Sequence, residues 1–113
     1  MEDRIKALLE NAITGIPVID KPFPDIFPCV TFHLYMENGL LFGGGSATEE
    51  TVSCQVDIWY KVKNDSIKAE IKKIKQAIAS QKYCTYPQMG YMYETNTKIH
   101  HTYFAFECLE MEE

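Results

Sequence analysis

Hydrophobic residues recur along this chain with two different periods, and the change of period separates the elements. Over residues 4–14 the apolar positions are spaced by three and four, which predicts an amphipathic helix. Gly15 follows the last turn, where glycine commonly ends a helix. Residues 16–28 then hold four of the five prolines, and because proline fixes φ and removes a backbone donor, we predict an extended connector there.

Two segments with the period of a strand follow the connector. Residues 29–36 are rich in β-branched and aromatic side chains and begin directly after a proline. From Val52 to Tyr60 apolar residues alternate with polar ones, which predicts a strand with one buried face and a wetter face that carries Trp59. The segment between these strands, about residues 37–50, contains four glycines and is predicted to be a flexible hairpin loop.

A second amphipathic helix is predicted over residues 66–80. Its isoleucines fall on one stripe, and Asn64 is one of three consecutive residues that can cap its start. Lys68, Lys72 and Lys75 line one flank of the buried stripe. Such a flank is usually a solvated face, and the alternative is an electrostatic contact with an acidic partner subunit or a DNA-lined channel.

Two further strands, residues 89–94 and 98–109, complete the chain and are joined by a tight turn around Thr95 and Asn96, where asparagine tolerates positive φ. The predicted element order is therefore α-β-β-α-β-β. We predict an α+β fold in which a small, mostly antiparallel four-stranded sheet carries both helices on one face. A length of 113 residues is typical of a single domain, 1–113.

Charge and cysteine content narrow the classes of protein. A net charge of −5 and a pI near 5.2 argue against a protein that mainly holds duplex nucleic acid, because that affinity comes from lysine and arginine on phosphates. No apolar stretch predicts a signal peptide or a membrane span. The cysteines form no C-x-x-C pair and are predicted to be reduced core residues, which fits an intracellular origin. They are Cys29, Cys54, Cys84 and Cys108.

Motifs for catalysis and ligand binding are absent from the sequence, so we predict no catalytic residue, no metal site and no cofactor. The glycine-rich residues 40–47 lack the lysine and hydroxyl of a phosphate-binding loop. His100 and His101 are adjacent, so a strand would point them to opposite faces, and His33 is distant.

Three features of the second half carry a resemblance to a known family. They are QVDIWYK at 55–61, the lysine-flanked helix at 66–80, and YMYETNTKIHHTYFAF at 91–106. Together with the order of elements over nearly the whole chain, these features resemble the tail-terminator or tail-completion proteins of long-tailed, siphovirus-like phages and prophages. The signature of that family lies in the order and spacing of its elements.

The resemblance implies a structural, non-enzymatic virion protein. Members of the family form hexameric rings that sit on the last ring of the tail tube, stop its growth and provide the surface that joins the filled head. The implied partners are other copies of the chain, the tail tube protein and a head-completion or connector protein, with no membrane and no specific nucleic acid. The implied location is the virion tail, reached from the host cytoplasm during assembly.

Two alternatives stay open beside the tail-terminator interpretation. The first is a head–tail connector or another neck protein of the same virion, which has a similar size and role. The second is an unrelated small enzyme or ligand-binding α+β domain. A deep polar pocket with perturbed titratable groups would favour this second alternative.

Ring assembly requires contact surfaces, and the sequence suggests where to look. The loop 37–50 combines apolar residues with an acidic end, which could become ordered in the ring and meet the lysine flank of a neighbouring subunit. The wetter strand face around Trp59 is the next candidate. The predicted interface residues are Leu40, Leu41, Phe42, Gly43, Gly44, Gly45, Glu49, Glu50, Trp59, Lys68, Lys72 and Lys75.

Overall fold

A computed structural model describes the chain over residues 2–13, 15–19, 24–36 and 50–110. Its elements are α1 (Glu2–Ala12), β1 (Cys29–Met36), β2 (Glu50–Tyr60), α2 (Asp65–Ala79), β3 (Gln88–Glu94) and β4 (Ile99–Glu110). The predicted order of helices and strands is confirmed, and every boundary lies within two residues of its predicted position. Among the described residues, no helix has the length and apolar character needed to cross a membrane.

The four strands form one antiparallel sheet in the spatial order β1-β2-β4-β3. The two long strands β2 and β4 are therefore central, and β1 and β3 lie at the edges. The connector covers part of the β1 edge, because Val18 forms a parallel bridge with Val30. The outer edge of β3 has no such bridge among the described residues.

Both helices pack on one face of the sheet, and this face forms the core. Successive side chains of a strand point to opposite faces, so alternate residues of β2 and β4 enter the core beside one stripe from each helix. Full burial of an aliphatic side chain such as Ile74 contributes about 1.5–3 kcal/mol. The core residues are Ile5, Leu9, Ile13, Ile16, Val30, Val52, Cys54, Val56, Ile58, Tyr60, Ile67, Ile74, Ile78, Phe104, Phe106 and Cys108. The predicted α+β fold is confirmed.

The start of α2 is fixed by Asn64, one of the three capping residues that the sequence offers. Its backbone is extended, with φ −137° and ψ 177°, and its side-chain oxygen accepts a hydrogen bond of 2.9 Å from the N–H of Ile67. This bond satisfies one of the four backbone donors that every helix leaves without a partner at its start.

The β3–β4 turn differs from the prediction in the residue that takes positive φ. Lys98, with φ 61°, adopts the left-handed conformation that we expected near Asn96. Its N–H donates to the carbonyl oxygen of Glu94 at 2.8 Å, a hydrogen bond that spans one residue more than in a β-turn. The longer turn moves the left-handed position to the residue that leads into β4.

Candidate functional site on the open face of the sheet

The face of the sheet opposite the helices carries a group of polar and aromatic side chains, which we call the open face. Its members come from β1, β2 and β4, and the strand register sets them side by side. Thr31 lies opposite Asp57, and Trp59 lies opposite His101. The open face comprises Thr31, His33, Tyr35, Gln55, Asp57, Trp59, His101 and Tyr103.

Asp57 lies at the centre of the open face, and its side chain is only 4% exposed. One carboxylate oxygen is 2.6 Å from Nε2 of His101 and accepts a 2.8 Å hydrogen bond from the amide of Gln55. The other oxygen is 3.6 Å from Nδ1 of His33. Because burying a carboxylate without donors is costly, these neighbours are what allow Asp57 to be buried here. The contact also selects the His101 tautomer that carries a proton on Nε2.

Ring contacts fix the side chains around this carboxylate. The Trp59 and His101 rings are stacked, with centroids 3.9 Å apart and planes 7° from parallel. The indole N–H of Trp59 donates to the hydroxyl of Thr31 at 2.9 Å. His33 is hydrogen-bonded to the Tyr35 hydroxyl, and their rings meet edge to face at 4.8 Å. The open face is therefore held by its own hydrogen bonds and stacking.

A histidine bonded to a buried carboxylate is also the arrangement from which a general base can be built. In this face Nε2 of His101 is bonded to the carboxylate, and the hydroxyls of Thr31 and Tyr35 are bonded to rings of the same face. Within the part of the chain that the structure describes, no group of three or more His, Cys, Asp or Glu side chains is suited to hold a metal ion.

Two of the cavities formed by the described residues border the open face. The smaller, about 190 Å³, lies beside the stacked rings and is lined by Trp59, Met92, Tyr93, Glu94, Ile99 and His101. The larger, about 240 Å³, is lined by Tyr35, Ser53, Cys54, Gln55, Thr85, Tyr86, Gln88, Ala105, Phe106 and Glu107. Aromatic side chains line both cavities, so they add shape and apolar surface to a face whose centre is polar.

The edge strand β3 presents large apolar side chains to solvent. Met89, Tyr91, Met92 and Tyr93 are exposed by 58%, 44%, 60% and 45%, although three of them share the sheet side on which the helices pack. The helices therefore do not cover this end of the sheet. An exposed edge strand with apolar side chains is a surface that pairs readily with another chain.

The structure changes the interpretation of the histidines. His100 and His101 do point to opposite faces, as predicted, and His100 stacks on Tyr60 with centroids 5.1 Å apart. His33, which we expected to be distant, lies with His101 on the same carboxylate of Asp57. The reason is that β1 and β4 both flank β2, and no local signal reports which strands are neighbours. The sequence signal for this group of side chains was limited to the polar residues on the wetter face of β2.

The cysteines also come together in a way that their spacing did not indicate. Sγ of Cys108 is 2.7 Å from Sγ of Cys84 and 3.9 Å from Sγ of Cys54. Three cysteines are buried as predicted, whereas Cys84 is half-buried, and all four are thiols. Cys29 lies in β1 opposite Trp59, and its pKa is raised to about 11 by burial and by the charge of Asp25.

Most of the predicted interface loop lies outside the described residues. These positions are Leu40, Leu41, Phe42, Gly43, Gly44, Gly45 and Glu49. The predicted end of the loop was wrong at Glu50, which begins β2 opposite Glu110. The reason is that the β2–β4 ladder extends two residues beyond the alternating pattern that starts at Val52.

The remaining predicted interface residues are placed on two surfaces. Trp59 lies on the open face, where its ring is half-buried against His101. Lys68 and Lys72 are exposed on α2. Lys75 is half-buried, with its ammonium group 5.7 Å from the centre of the Tyr86 ring, so it makes a cation–π contact within the chain.

Comparison of the chain with models of protein families and with curated proteins gives no match.

Proposed function

We propose that the protein is a structural subunit of a phage tail, which forms a ring on the end of the tail tube, stops tail growth and joins the tail to the head. The observation that carries this proposal is the edge strand β3, with its four exposed apolar side chains. The order and spacing of the elements, through their resemblance to the tail-terminator family, supply the identity of the assembly.

A ring needs two different surfaces on each subunit that fit each other and close by rotation. β3 supplies one such surface, because its outer backbone groups and apolar side chains can pair with another chain. The opposite edge of the same sheet supplies the other, since within the described residues the connector bridges β1 only at Val30. A head-to-tail arrangement of sheets through these two edges is a heterologous contact of the required kind.

The open face and the lysine flank are left for the partners of the ring. The open face is rigid, aromatic and polar, which suits a surface that fits tube or head subunits without rearrangement. Lys68 and Lys72 are exposed on α2 and suit an acidic partner surface. In this proposal the subunit acts by association alone.

The experiment compares a variant in β3 with a matched control. Met89→Lys together with Met92→Lys places a charge on each side of β3, at positions exposed by 58% and 60%. Val62→Lys alters an equally exposed apolar residue, 64%, that lies outside β3. Light scattering with size-exclusion chromatography measures the mass over a wide protein concentration range, and electron microscopy examines mixtures with tail tubes of the phage or prophage that encodes the chain.

We expect the wild type and the Val62→Lys control to rise in mass toward a closed ring and to cap tubes. The β3 variant should keep the thermal midpoint of the monomer, remain monomeric and leave tubes uncapped. The proposal fails if the wild type is a tight dimer at every concentration and never caps a tube. Rings that form on heads but not on tubes would support the alternative neck protein.

A further inference from the structure

Two cysteines face each other where the chain between α2 and β3 packs beside the end of β4. Cys84 forms an antiparallel bridge with Cys108. The residues on either side of the pair exchange the backbone hydrogen bonds, at 2.8 and 2.9 Å, so the cysteines themselves form a non-hydrogen-bonded pair. In such pairs the Cα atoms lie about 4.5 Å apart with the side chains close together. A disulfide needs a Cα separation of about 4.4–6.8 Å, which this backbone arrangement already provides.

The third cysteine of this group is less well placed for a disulfide. Cys54 lies opposite Phe106, whereas Cys108 lies opposite Val52, so Cys54 and Cys108 are diagonal neighbours. Diagonal residues of an antiparallel pair are about 7–8 Å apart, beyond the usual range for a disulfide. The sulfur distances follow the same order, 2.7 Å to Cys84 and 3.9 Å to Cys54.

The two paired thiols differ in access and in acidity. Cys84 is half-buried, whereas Cys108 is 1% exposed. The hydrogen bond from Cys108 lowers the pKa of the Cys84 thiol, and the positive charge of Arg4 acts in the same direction against the effect of burial. The pKa of Cys108 is raised by its hydrogen bonds with Cys54 and Cys84, in that order, and by burial. Because the thiolate is the attacking species, Cys84 is the thiol that meets an external reagent first.

We propose that Cys84 is a site of thiol–disulfide exchange and that Cys108 is its resolving partner. In the first step the Cys84 thiolate attacks one sulfur of a low-molecular-weight disulfide such as oxidised glutathione. The external S–S bond breaks, a mixed disulfide forms on Cys84, and one glutathione leaves as a thiolate.

In the second step Cys108 attacks the Cys84 sulfur, the S–S bond between Cys84 and glutathione breaks, and the proton of Cys108 passes to the departing glutathione thiolate. The intramolecular disulfide forms and the second glutathione leaves. Two electrons have then passed from the two cysteines to the external disulfide, which is reduced to two thiols. The product is a covalent loop of residues 84–108, and that loop contains the whole of β3.

The test uses the full chain in a series of glutathione redox buffers. Samples are quenched with acid, the remaining thiols are alkylated, and tryptic peptides are identified by mass. Lysines separate Cys54, Cys84 and Cys108 onto different peptides, so each pairing among these three gives a distinct linked product. Cys29 shares the Cys54 peptide, and Cys29→Ala removes that ambiguity. Cys84→Ser is the test variant. Cys29→Ala is the control, because Cys29 lies in β1 opposite Trp59, at the end of β2 away from the residue that pairs with Cys108.

We expect the linked Cys84–Cys108 peptide from the wild type, from Cys29→Ala and from Cys54→Ala. Cys84→Ser should lose all intramolecular disulfide and keep Cys108 as a thiol. The thermal midpoint should rise on oxidation of the wild type, because the covalent loop restricts the unfolded chain, and should not change in Cys84→Ser.

Three results would overturn the proposal. The first is a Cys54–Cys108 link as the main product. The second is that all four thiols of the folded chain stay unmodified in redox buffers that fully oxidise the same chain when it is unfolded in denaturant. The third is a lower thermal midpoint after oxidation, which would mean that the disulfide forms only by distorting the sheet. Cys84 is half-buried, so its serine variant is expected to fold. The test therefore does not depend on a variant of the buried Cys108.

Discussion

The hydrogen-bond donors around Asp57 compensate for the burial of its carboxylate. Substitution of Asp57 measures how much these contacts contribute to the free energy of unfolding. Asp57→Ala leaves the imidazole of His101 and the amide of Gln55 without their acceptor in a half-buried site. An orphaned donor of this kind costs about 1–3 kcal/mol, so we expect a loss of that order in the free energy of unfolding. Asp57→Asn keeps one acceptor oxygen and should cost less. Urea unfolding measures both variants, and an equal loss in the two would contradict the role of the acceptor.

Cys29 makes the stability of the protein depend on pH in the alkaline range. Its thiol pKa is raised from 9.0 to about 11, through burial first and the charge of Asp25 second. The unfolded thiol therefore releases its proton at lower pH than the folded one. The contribution to stability is complete below about pH 9 and is lost as the pH rises toward about 11.

The size of this effect follows from the shift in pKa. One pKa unit corresponds to about 1.4 kcal/mol, which gives a loss on the order of 1–3 kcal/mol across the window. Urea unfolding of the wild type and of Cys29→Ala, below pH 9 and near pH 11, isolates the contribution of Cys29. Other groups, such as Tyr83, titrate in both proteins and therefore cancel in the comparison. Parallel pH dependences in the two proteins would refute the assignment.

At the level of the elements, the start of α2 depends on the Asn64 cap. Asn64→Ala removes the side-chain oxygen that accepts from the Ile67 N–H, and we expect a loss of about 1 kcal/mol in the free energy of unfolding. Asn64→Asp is the matched control, because it keeps an acceptor at the same place and adds a negative charge at the positive end of the helix. Thermal or urea unfolding followed by circular dichroism distinguishes them. Equal destabilisation by both variants would show that the cap is not the cause.

The two edge strands differ in how far the rest of the chain protects them. β1 is bridged by the connector through Val18 and Val30. β3 has no bridge of this kind among the described residues, and its side chains are exposed on both sides. Charged residues usually protect such an edge from association. Their scarcity on β3, which has only Glu94 at its end, is what makes it the proposed contact of the ring.

At the scale of the whole molecule, the open face and the core face of the sheet can be followed by different spectroscopic probes. Trp59, the only tryptophan, lies on the open face, whereas both helices lie on the core face. β2 supplies residues to both faces, so we expect the two sides to unfold together. Tryptophan fluorescence and far-ultraviolet circular dichroism should give coincident urea transitions, as two-state unfolding requires. A separate transition by fluorescence would show that the open face opens alone and would argue against a single cooperative domain.

The sequence by itself determined the elements and the side of each that is buried. The alternation from Val52 to Tyr60 and the isoleucine stripe of α2 are local patterns, and each has the period of the structure that it forms. An element must bury its apolar side, so these patterns also predicted that the helices share one face of an antiparallel sheet. The capping of α2 lay within the same reach, because it depends on residues only three positions apart.

Only the tertiary structure decided which distant residues meet. His33 and His101 reach Asp57 because β1 and β4 both pair with β2, and Cys84 reaches Cys108 because the chain after α2 returns to the end of β4. These contacts depend on strand order and register, which are set by the packing of the whole sheet. A local period is the same in every such arrangement, so it predicts which face a side chain is on but not which neighbour it has there.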